Sequence, residues 1–443
     1  MYISKLDSWL ARTSLAVIAA IVVVVPFHAT LTVWLSQLFG RYTALRLWKE
    51  YLLVLLVLAA VYILIKNQKI RSQVLGSKLT WLIGGFVAVQ SIWGIVAYAA
   101  HQVSAEALGY GWLSDTRYLI FFLAVWVIAA AVPKPKNFWP KLIFWPAAIV
   151  IVFGLLQYFV LPYNFMTHLG YSSATIFPYE DINSNIHYIR IMSTLRGADP
   201  LGAYLVVVLS LTLAFWQRQK KWWLLLLAAV GTLALILSFS RAAWLGLVLS
   251  LATLLWASLK SQHSRRLAIS GAVACVVIAG GITLTLRNNA TFQNVFLHTQ
   301  TNSVVKTNSN QGHTSALQNG LSDLLHDPIG HGPGTAGPAS VYNKRAPARI
   351  AENYFIQIGQ EIGWFGLALF LAINIVIGLK LWHRRDQALA LGLLAALVGV
   401  SFVNLLSHGW ADDTLCYLWW GLAAIACAEL PHRLKLESKN KGL

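Results

Sequence analysis

Three arginines and one glutamate are the residues of this chain whose types and positions could do chemistry. Arg190 and Arg196 stand in RIMSTLRGADPLGAYL, and Arg241 stands in SFSRAAWLGL. A guanidinium group presents fixed donors that match phosphate oxygens in pairs. Glu352 comes directly before an apolar run, where its carboxylate could accept a proton from a substrate hydroxyl. These residues predict binding of a diphosphate-sized anion with acid–base chemistry beside it.

Each of these positions also has a purely structural interpretation. Arg241 could extend to water or form a salt bridge with Asp412 or Asp413. Glu352 could be a carboxylate at a helix N-terminus, where the helix dipole favours it. Asp199, which precedes a proline, is predicted to cap the following helix. We interpret Arg241 as part of an anion site, because charge within a membrane protein usually marks function.

The elements that must position these residues are apolar helices. The chain has 443 residues, of which 57% are hydrophobic and 11% charged. Apolar runs of about 18 residues or more recur along it, and a water-soluble core does not need them. The composition predicts an all-α polytopic membrane protein with about 12 transmembrane helices. The predicted spans are 15–35, 46–65, 79–100, 118–132, 142–161, 201–216, 222–238, 242–259, 267–286, 353–379, 388–406 and 415–429.

The basic residues predict how these spans are oriented. Most of the 34 lysines and arginines fall in short segments that share one side if the N-terminus is cytoplasmic. This pattern predicts cytoplasmic N- and C-termini in the inner or plasma membrane. The formal net charge of +18 is then mainly a topology signal. The excess is scattered over many loops and forms no single stripe, so binding of nucleic acid is not expected.

One polar segment, residues 287–352, interrupts the apolar pattern between the ninth and tenth predicted spans. We expect a single membrane domain over residues 1–443, with this segment as a large extracytoplasmic loop that carries chemistry. Within it, TSALQNGLSDLLHDP has the spacing of an amphipathic helix that Pro328 ends, and packing is its default role. The following GHGPG lacks a preceding strand, so we interpret it as a tight turn and not as a dinucleotide site. The spacing of His313, His326 and His331 matches no compact metal site.

The motifs resemble, in order and spacing, those of the O-antigen ligase and O-antigen polymerase superfamily of membrane glycosyltransferases. They are RIMSTLRGADPLGAYL, SFSRAAWLGL, PIGHGPG and AENYFIQIGQEIGWFGL. The resemblance implies a GT-C-like bundle that needs no metal or other cofactor. It also implies transfer of a glycan from a polyprenyl (undecaprenyl) diphosphate carrier to a glycan or lipid-glycan acceptor, outside the bacterial cytoplasmic membrane, in cell-surface polysaccharide assembly. Arg190 and Arg241 match the family's diphosphate-binding arginines, and Arg196 is a further candidate.

The chain departs from the ligases at one position. Ligases carry histidine followed by asparagine at the start of the helix after the long loop, whereas this chain has Glu352 and Asn353. A carboxylate can serve as the general base, so we expect a polymerase or a ligase-like enzyme that inverts the anomeric carbon. The residues expected to line the sugar path are Lys344, Arg349 and His331, and Asn353 is expected to bind substrate beside Glu352. If Glu352 is not the base, the next candidates are His331, His408 and Asp413.

A second class of protein fits the same span count. A secondary transporter or a flippase of lipid-linked glycans could also have about twelve helices with cytoplasmic ends. Transporters usually show two related halves and broken helices near the midplane. Here the halves look unlike and the large insertion falls on one side only. Charged residues that converge at the outer leaflet would favour the enzyme, and a charged cavity at mid-membrane would favour transport. A purely structural scaffold would leave the arginines unexplained.

Overall fold

A computed structural model describes residues 5–132, 138–182, 185–259 and 309–428, with isolated positions at 270, 284–286, 288, 289 and 293. Within these ranges the chain is mostly helical. The helices are α1 (Lys5–Val24), α2 (His28–Phe39), α3 (Tyr42–Arg46), α4 (Trp48–Lys66), α5 (Gln68–Leu75), α6 (Lys78–Ala99), α7 (Ala105–Ala131), α8 (Phe138–Phe159), α9 (Ala198–Gln219), α10 (Trp222–Leu237), α11 (Arg241–Ser258), α12 (Ser309–His326), α13 (Tyr354–His383), α14 (Ala388–Asn404) and α15 (Asp413–Ala428). A short 3₁₀ turn joins α1 to α2, so the two form one continuous helical segment.

The helices confirm the polytopic membrane class. In the described residues, eight segments are long and apolar enough to cross a membrane, and α10, α14 and α15 are shorter apolar helices. Together they account for every predicted span except the one at 267–286, which lies outside the described residues. The prediction of twelve spans therefore stays a prediction, and so does the orientation of the chain.

Two sequence expectations need correction. The fourth span begins at Ala105 and not near 118, because the polar side chains of Asp115 and Arg117 are buried inside the bundle on α7. A window that seeks only apolar residues rejects this stretch. The all-α description also omits a hairpin, in which β1 (Glu180–Ile182) pairs antiparallel with β2 (Asn185–Arg190). Glu180 lies opposite Arg190 in that ladder.

The described part of the long polar segment packs against the bundle. α12 ends at His326, before Pro328 as predicted, and its Leu324 is buried against Gly359. The GHGPG turn then enters a kink in α13, where Gly363 has φ +69°. Its Gly332 N–H donates to the carbonyl of Glu361, 2.7 Å away, so the turn uses a backbone acceptor at the kink.

Glycine is required at the deepest point of this turn. Gly334 has φ +81°, and a Cβ there would overlap the backbone of Ala107 on α7. The turn is tight, as its sequence predicts, but Gly332 and Gly334 are buried, and their N–H groups bond to Glu361 instead of being exposed. Of the predicted loop, residues 287–308 lie outside the described part of the chain apart from isolated positions.

One end of the bundle collects the chain segments that carry the candidate residues. Because consecutive spans are antiparallel, the first residues of α4, α7, α9, α11, α13 and α15 lie at the end where α2, α10 and α14 finish. We call this the site end. Hydrogen bonds join these segments: the Tyr354 N–H donates to the Ser407 carbonyl at 3.2 Å, and Thr414 Oγ1 donates to the Val25 carbonyl at 3.1 Å.

Candidate functional site

Arg190 lies at the end of β2 and is held in place by three contacts. One of its terminal nitrogens donates to Asp199 Oδ1 at 2.7 Å, and the other lies 3.4 Å from Glu180 Oε2. Its Nε donates to the Ser238 carbonyl at 3.0 Å. Burial alone would lower the pKa of Arg190, but Asp199 and Glu180 outweigh it and raise this pKa. The guanidinium group is therefore fixed in orientation and permanently charged.

Asp199 does not have the role that its sequence predicts. Gly197 occupies the N-cap position of α9, and Asp199 lies inside the first turn. Its carboxylate turns to Arg190, whose charged donor outcompetes a neutral backbone N–H. The predicted helix cap is therefore wrong, and Asp199 instead positions an arginine.

Arg241 is the first residue of α11, directly after the short turn from α10. It lies close enough to Arg190 and Asp199 for their charges to act on it. The two aspartates considered as its salt-bridge partners have other contacts. Asp413 forms ion pairs with Lys49, Arg117 and His28, and Asp412 lies nearest to Arg196. Arg190 and Arg241 therefore lie near one another at the site end, because Arg190 bonds to Ser238, three residues before Arg241, and its charge acts on Arg241.

Glu352 forms an ion pair with Nδ1 of His313 on α12. The hydrogen bond to Glu352 raises the pKa of His313 more than burial lowers it. The charges of Arg241 and Asp199 also act on His313, so α12 lies within electrostatic range of the arginine pair. Sequence reasoning missed this role, because it considered His313 only as a metal ligand. The useful signal was its position near the start of an amphipathic helix.

Asn353 next to Glu352 has structural contacts. Its side-chain oxygen accepts hydrogen bonds from the N–H groups of Phe355 and Ile356 at 2.9 and 3.0 Å, and its amide donates to the Leu405 carbonyl at 3.0 Å. It caps α13 and ties it to the segment after α14. A substrate-binding role for Asn353 stays a prediction.

His408 lies in that same segment, next to the start of α13. Both of its ring nitrogens are buried, and no described residue forms a hydrogen bond with them. Burial lowers the pKa of His408 to about 4, with Glu352 raising it and Arg196 lowering it further. His408 is therefore a neutral imidazole near Glu352 and Arg196 with unused hydrogen-bonding capacity.

Arg196 faces a separate cavity of about 250 Å³. We call it the tyrosine cavity and define it by Tyr42, Arg46, Tyr110, Arg196, Tyr342 and Asp412. The Nε atom of Arg196 lies 4.0 Å from Asp412 Oδ2. The prediction grouped Arg196 with the other two arginines, but its side chain turns to this cavity. Five residues, 191–195, separate Arg190 from Arg196 before α9 begins, and the two side chains reach different acidic partners.

A buried ion network adjoins the cavity, and its residues His28 and Asp413 form part of the cavity wall. Glu50 binds Lys49 at 3.1 Å and Arg117 at 2.8 Å, and Asp413 binds the same two cations, with the Lys49 contact at 3.2 Å. His28 Nε2 completes it, 3.0 Å from Asp413. Sequence reasoning missed this network, although charges inside apolar runs were the signal. It joins α4, α7 and α15, so Asp413 has a structural explanation.

A second set of buried polar contacts holds the GHGPG turn in place. The Gly334 N–H donates to Glu361 Oε1 at 2.8 Å, and the Tyr354 hydroxyl donates to Asp115 Oδ1 at 2.9 Å. The Tyr118 hydroxyl lies 2.9 Å from that of Tyr354. These contacts bind the turn, α7 and α13 to one another. They hold the start of α13, and with it Glu352, in position.

The three residues predicted to line the sugar path have other neighbours. Lys344 forms an exposed ion pair with Glu106 at 3.2 Å. His331 Nε2 lies 3.1 Å from Asp327. The backbone N–H of His331 donates to the backbone carbonyl of Gln360, which is about two helical turns from Glu352. Arg349 is anchored through its backbone, which bonds to Ser340 and Gly337. Their place on a sugar path stays a prediction.

Part of the chain is similar to a known protein family. Residues 225–371 match the family model described as O-Antigen ligase. The matched segment contains Arg241, His313, the GHGPG turn and Glu352. No curated protein matches the chain. Over this segment the match confirms the resemblance to the O-antigen ligase and polymerase superfamily that the motifs indicated.

Proposed function

We propose that the protein is a membrane glycosyltransferase that transfers or polymerises a glycan from a polyprenyl diphosphate carrier. The acceptor is a sugar of a second glycan at the outer face of the bacterial cytoplasmic membrane. One observation carries the proposal: the Glu352–His313 ion pair lies at the site end with Arg190 and Arg241, and the charge of Arg241 acts on His313. Arg241, His313 and Glu352 all lie in the family-matched segment. A proton acceptor and a diphosphate site thus adjoin one another.

On the donor side, Arg190 and Arg241 bind the diphosphate. Arg190 is oriented by Asp199 and Glu180, so little side-chain freedom is lost when a ligand arrives. Arg241 starts α11, where the helix dipole adds positive potential. As the glycan leaves, negative charge grows on the diphosphate, and fixed cations stabilise that charge in the transition state.

On the acceptor side, Glu352 is the general base. The hydroxyl oxygen of the acceptor forms a bond to the anomeric carbon while the bond from that carbon to the diphosphate oxygen breaks. The electron pair of the broken bond leaves with the diphosphate, and the hydroxyl proton passes to the Glu352 carboxylate. The displacement is a single step and inverts the anomeric carbon. His313 orients the carboxylate by the ion pair.

The replacement of histidine by Glu352 favours a polymerase, or a ligase with another acceptor. A carboxylate oriented by a histidine retains a proton acceptor at the same backbone position. His408 is the alternative base, because its neutral ring is buried beside the start of α13. Its free hydrogen-bonding capacity in the described structure fits contact with an acceptor hydroxyl.

Transport remains the competing function. The gathering of Arg190, Arg241 and Glu352 at the site end supports the enzyme. The buried network of Lys49, Glu50, Arg117 and Asp413 lies among helices, as in transporters, but Lys49 and Asp413 are within two residues of helix starts at the same end.

The decisive experiment incubates purified protein in lipid nanodiscs with a polyprenyl diphosphate glycan, first alone and then with candidate acceptor glycans. Chain extension without added acceptor identifies a polymerase, and transfer only to a second glycan identifies a ligase. Absence of any new glycosidic bond, together with movement of the donor across liposome membranes, would refute the proposal and support the flippase.

A further inference from the structure

The tyrosine cavity is distinct from the Arg190–Arg241 pair and has no assigned ligand. Its volume of about 250 Å³ is below the ~300–1,000 Å³ typical for drug-sized ligands, and suits a single sugar ring. The Arg46 guanidinium stacks on the Tyr110 ring, 5.2 Å from its centre, and donates to the Tyr110 hydroxyl at 2.8 Å. The rings of Tyr110 and Tyr342 meet edge to face at 5.3 Å.

The charges of the cavity call for an anion. Arg46 and Arg196 both line the cavity, and their positive charges repel one another. Among the described residues, no carboxylate lies within 4.0 Å of Arg46, and Arg196 reaches Asp412 only at that limit. Two like charges with unused donors in a partly buried space are stabilised by a negative ligand.

The remaining wall groups favour a carboxylate on a sugar over a diphosphate. Asp412 lines the same cavity and would repel a doubly charged group more strongly than a single carboxylate, whereas Asp413 is already paired with Lys49 and Arg117. A carboxylate oxygen of Asp412 can instead accept hydrogen bonds from sugar hydroxyls. The tyrosine side chains combine an apolar ring with a polar tip, which suits the mixed faces of a pyranose.

We propose that the tyrosine cavity binds one acidic sugar of the acceptor glycan, with the sugar carboxylate held between Arg46 and Arg196. This assignment rests on the proposed glycosyl transfer, because it names the chemistry of the acceptor. The charge of Arg196 also acts on His408, which adjoins the start of α13, so the cavity and Glu352 lie at the same end of the bundle. The site is specific for acidic over neutral sugars.

The test measures binding, separately from catalysis. Glucuronic acid, glucose and farnesyl diphosphate are titrated into the full-length protein in nanodiscs and followed by saturation-transfer NMR. We expect glucuronic acid to bind and glucose to bind at least about tenfold more weakly, as loss of one charge-assisted hydrogen bond predicts. Arg46→Gln and Arg196→Gln should each weaken glucuronic acid by a similar factor and leave farnesyl diphosphate unchanged. Arg345→Gln is the matched control, because that exposed arginine stacks on Tyr98 away from the cavity.

The outcomes separate this inference from the proposed function. Equal binding of glucose and glucuronic acid, or no binding of either, overturns the sugar-acid site. If Arg46→Gln weakens farnesyl diphosphate instead, the cavity holds the donor and the assignment is wrong. If Arg46→Gln fails to fold, Arg196→Gln decides, since its side chain is 44% exposed. Glucuronic acid binding without any glycan transfer would leave the site standing and refute the enzyme.

Discussion

Glu352 Oε2 is paired with His313 Nδ1, which joins the segment that precedes α13 to the amphipathic helix α12. Glu352 holds this position with φ +51°, a left-handed conformation that a non-glycine residue adopts only where its surroundings impose it. Strained backbone of this kind gathers at functional sites. Its neighbours here are α12, the Asn353 cap and the segment after α14, and its carboxylate is directed to His313 on α12.

Glu352→Gln keeps the size of the side chain and removes its basicity. We expect glycan transfer to fall by about 10²-fold or more, the usual loss of a general base. The rate is measured by product length and yield in nanodiscs, with Asp386→Asn, an exposed carboxylate at the other end of the bundle, as control. Normal transfer by Glu352→Gln would move the base to His408.

Arg241→Ala should remove transfer while the protein still inserts and folds. The expected loss is about 10²- to 10³-fold in turnover, because one fixed donor to the leaving group disappears. Arg218→Ala removes an exposed arginine at the opposite end and serves as the control. Unchanged turnover in Arg241→Ala would take this residue out of the mechanism.

His313 should make the free energy of unfolding depend on pH above 6.5, the ordinary pKa of a histidine side chain. Its pKa is raised in the folded protein, so the ion pair with Glu352 contributes fully below pH 6.5 and is lost as the pH rises through the raised value. Thermal unfolding should therefore show a decline above pH 6.5 that His313→Gln lacks. Superimposable pH profiles for the two proteins would contradict the ion pair.

His408 should act in the opposite direction. Its pKa falls from 6.5 to about 4 on folding, so the unfolded chain binds the proton more readily between these values. Stability due to this residue is present above pH 6.5 and is lost as the pH falls toward 4. His408→Gln should flatten the acid side of a thermal-unfolding series. An unchanged acid limb would mean that the ring is hydrated in solution.

Asp413→Asn should destabilise the protein without touching the arginine pair. It leaves Lys49 and Arg117 with one carboxylate for two buried cations, and breaking a buried pair costs about 3–5 kcal/mol. The midpoint of thermal unfolding should fall clearly, whereas exposed Asp327→Asn should not change it. An equal midpoint for Asp413→Asn would show that the network is not structural.

The sequence predicted most of the spans, because crossing a membrane depends on length and apolarity, and both are local properties. It also predicted α12 before Pro328 and the glycine turn, since each follows from backbone rules over a few residues. The prediction was wrong where charged residues lie within a helix. The start of α7 was placed too late, because Asp115 and Arg117 have partners that are distant in sequence. Such partners are visible only when the helices are assembled.

The candidate residues were identifiable from residue type, and their partners were not. The sequence singled out Arg190, Arg196, Arg241 and Glu352 as charged groups near apolar segments, and their functional roles stay predictions. Tertiary structure decided that Asp199 orients Arg190, that Arg196 faces a different cavity, and that His313 pairs with Glu352. The physical reason is that a charge takes the partner that packing brings within a few ångströms, and Coulomb energy at that range exceeds any local preference.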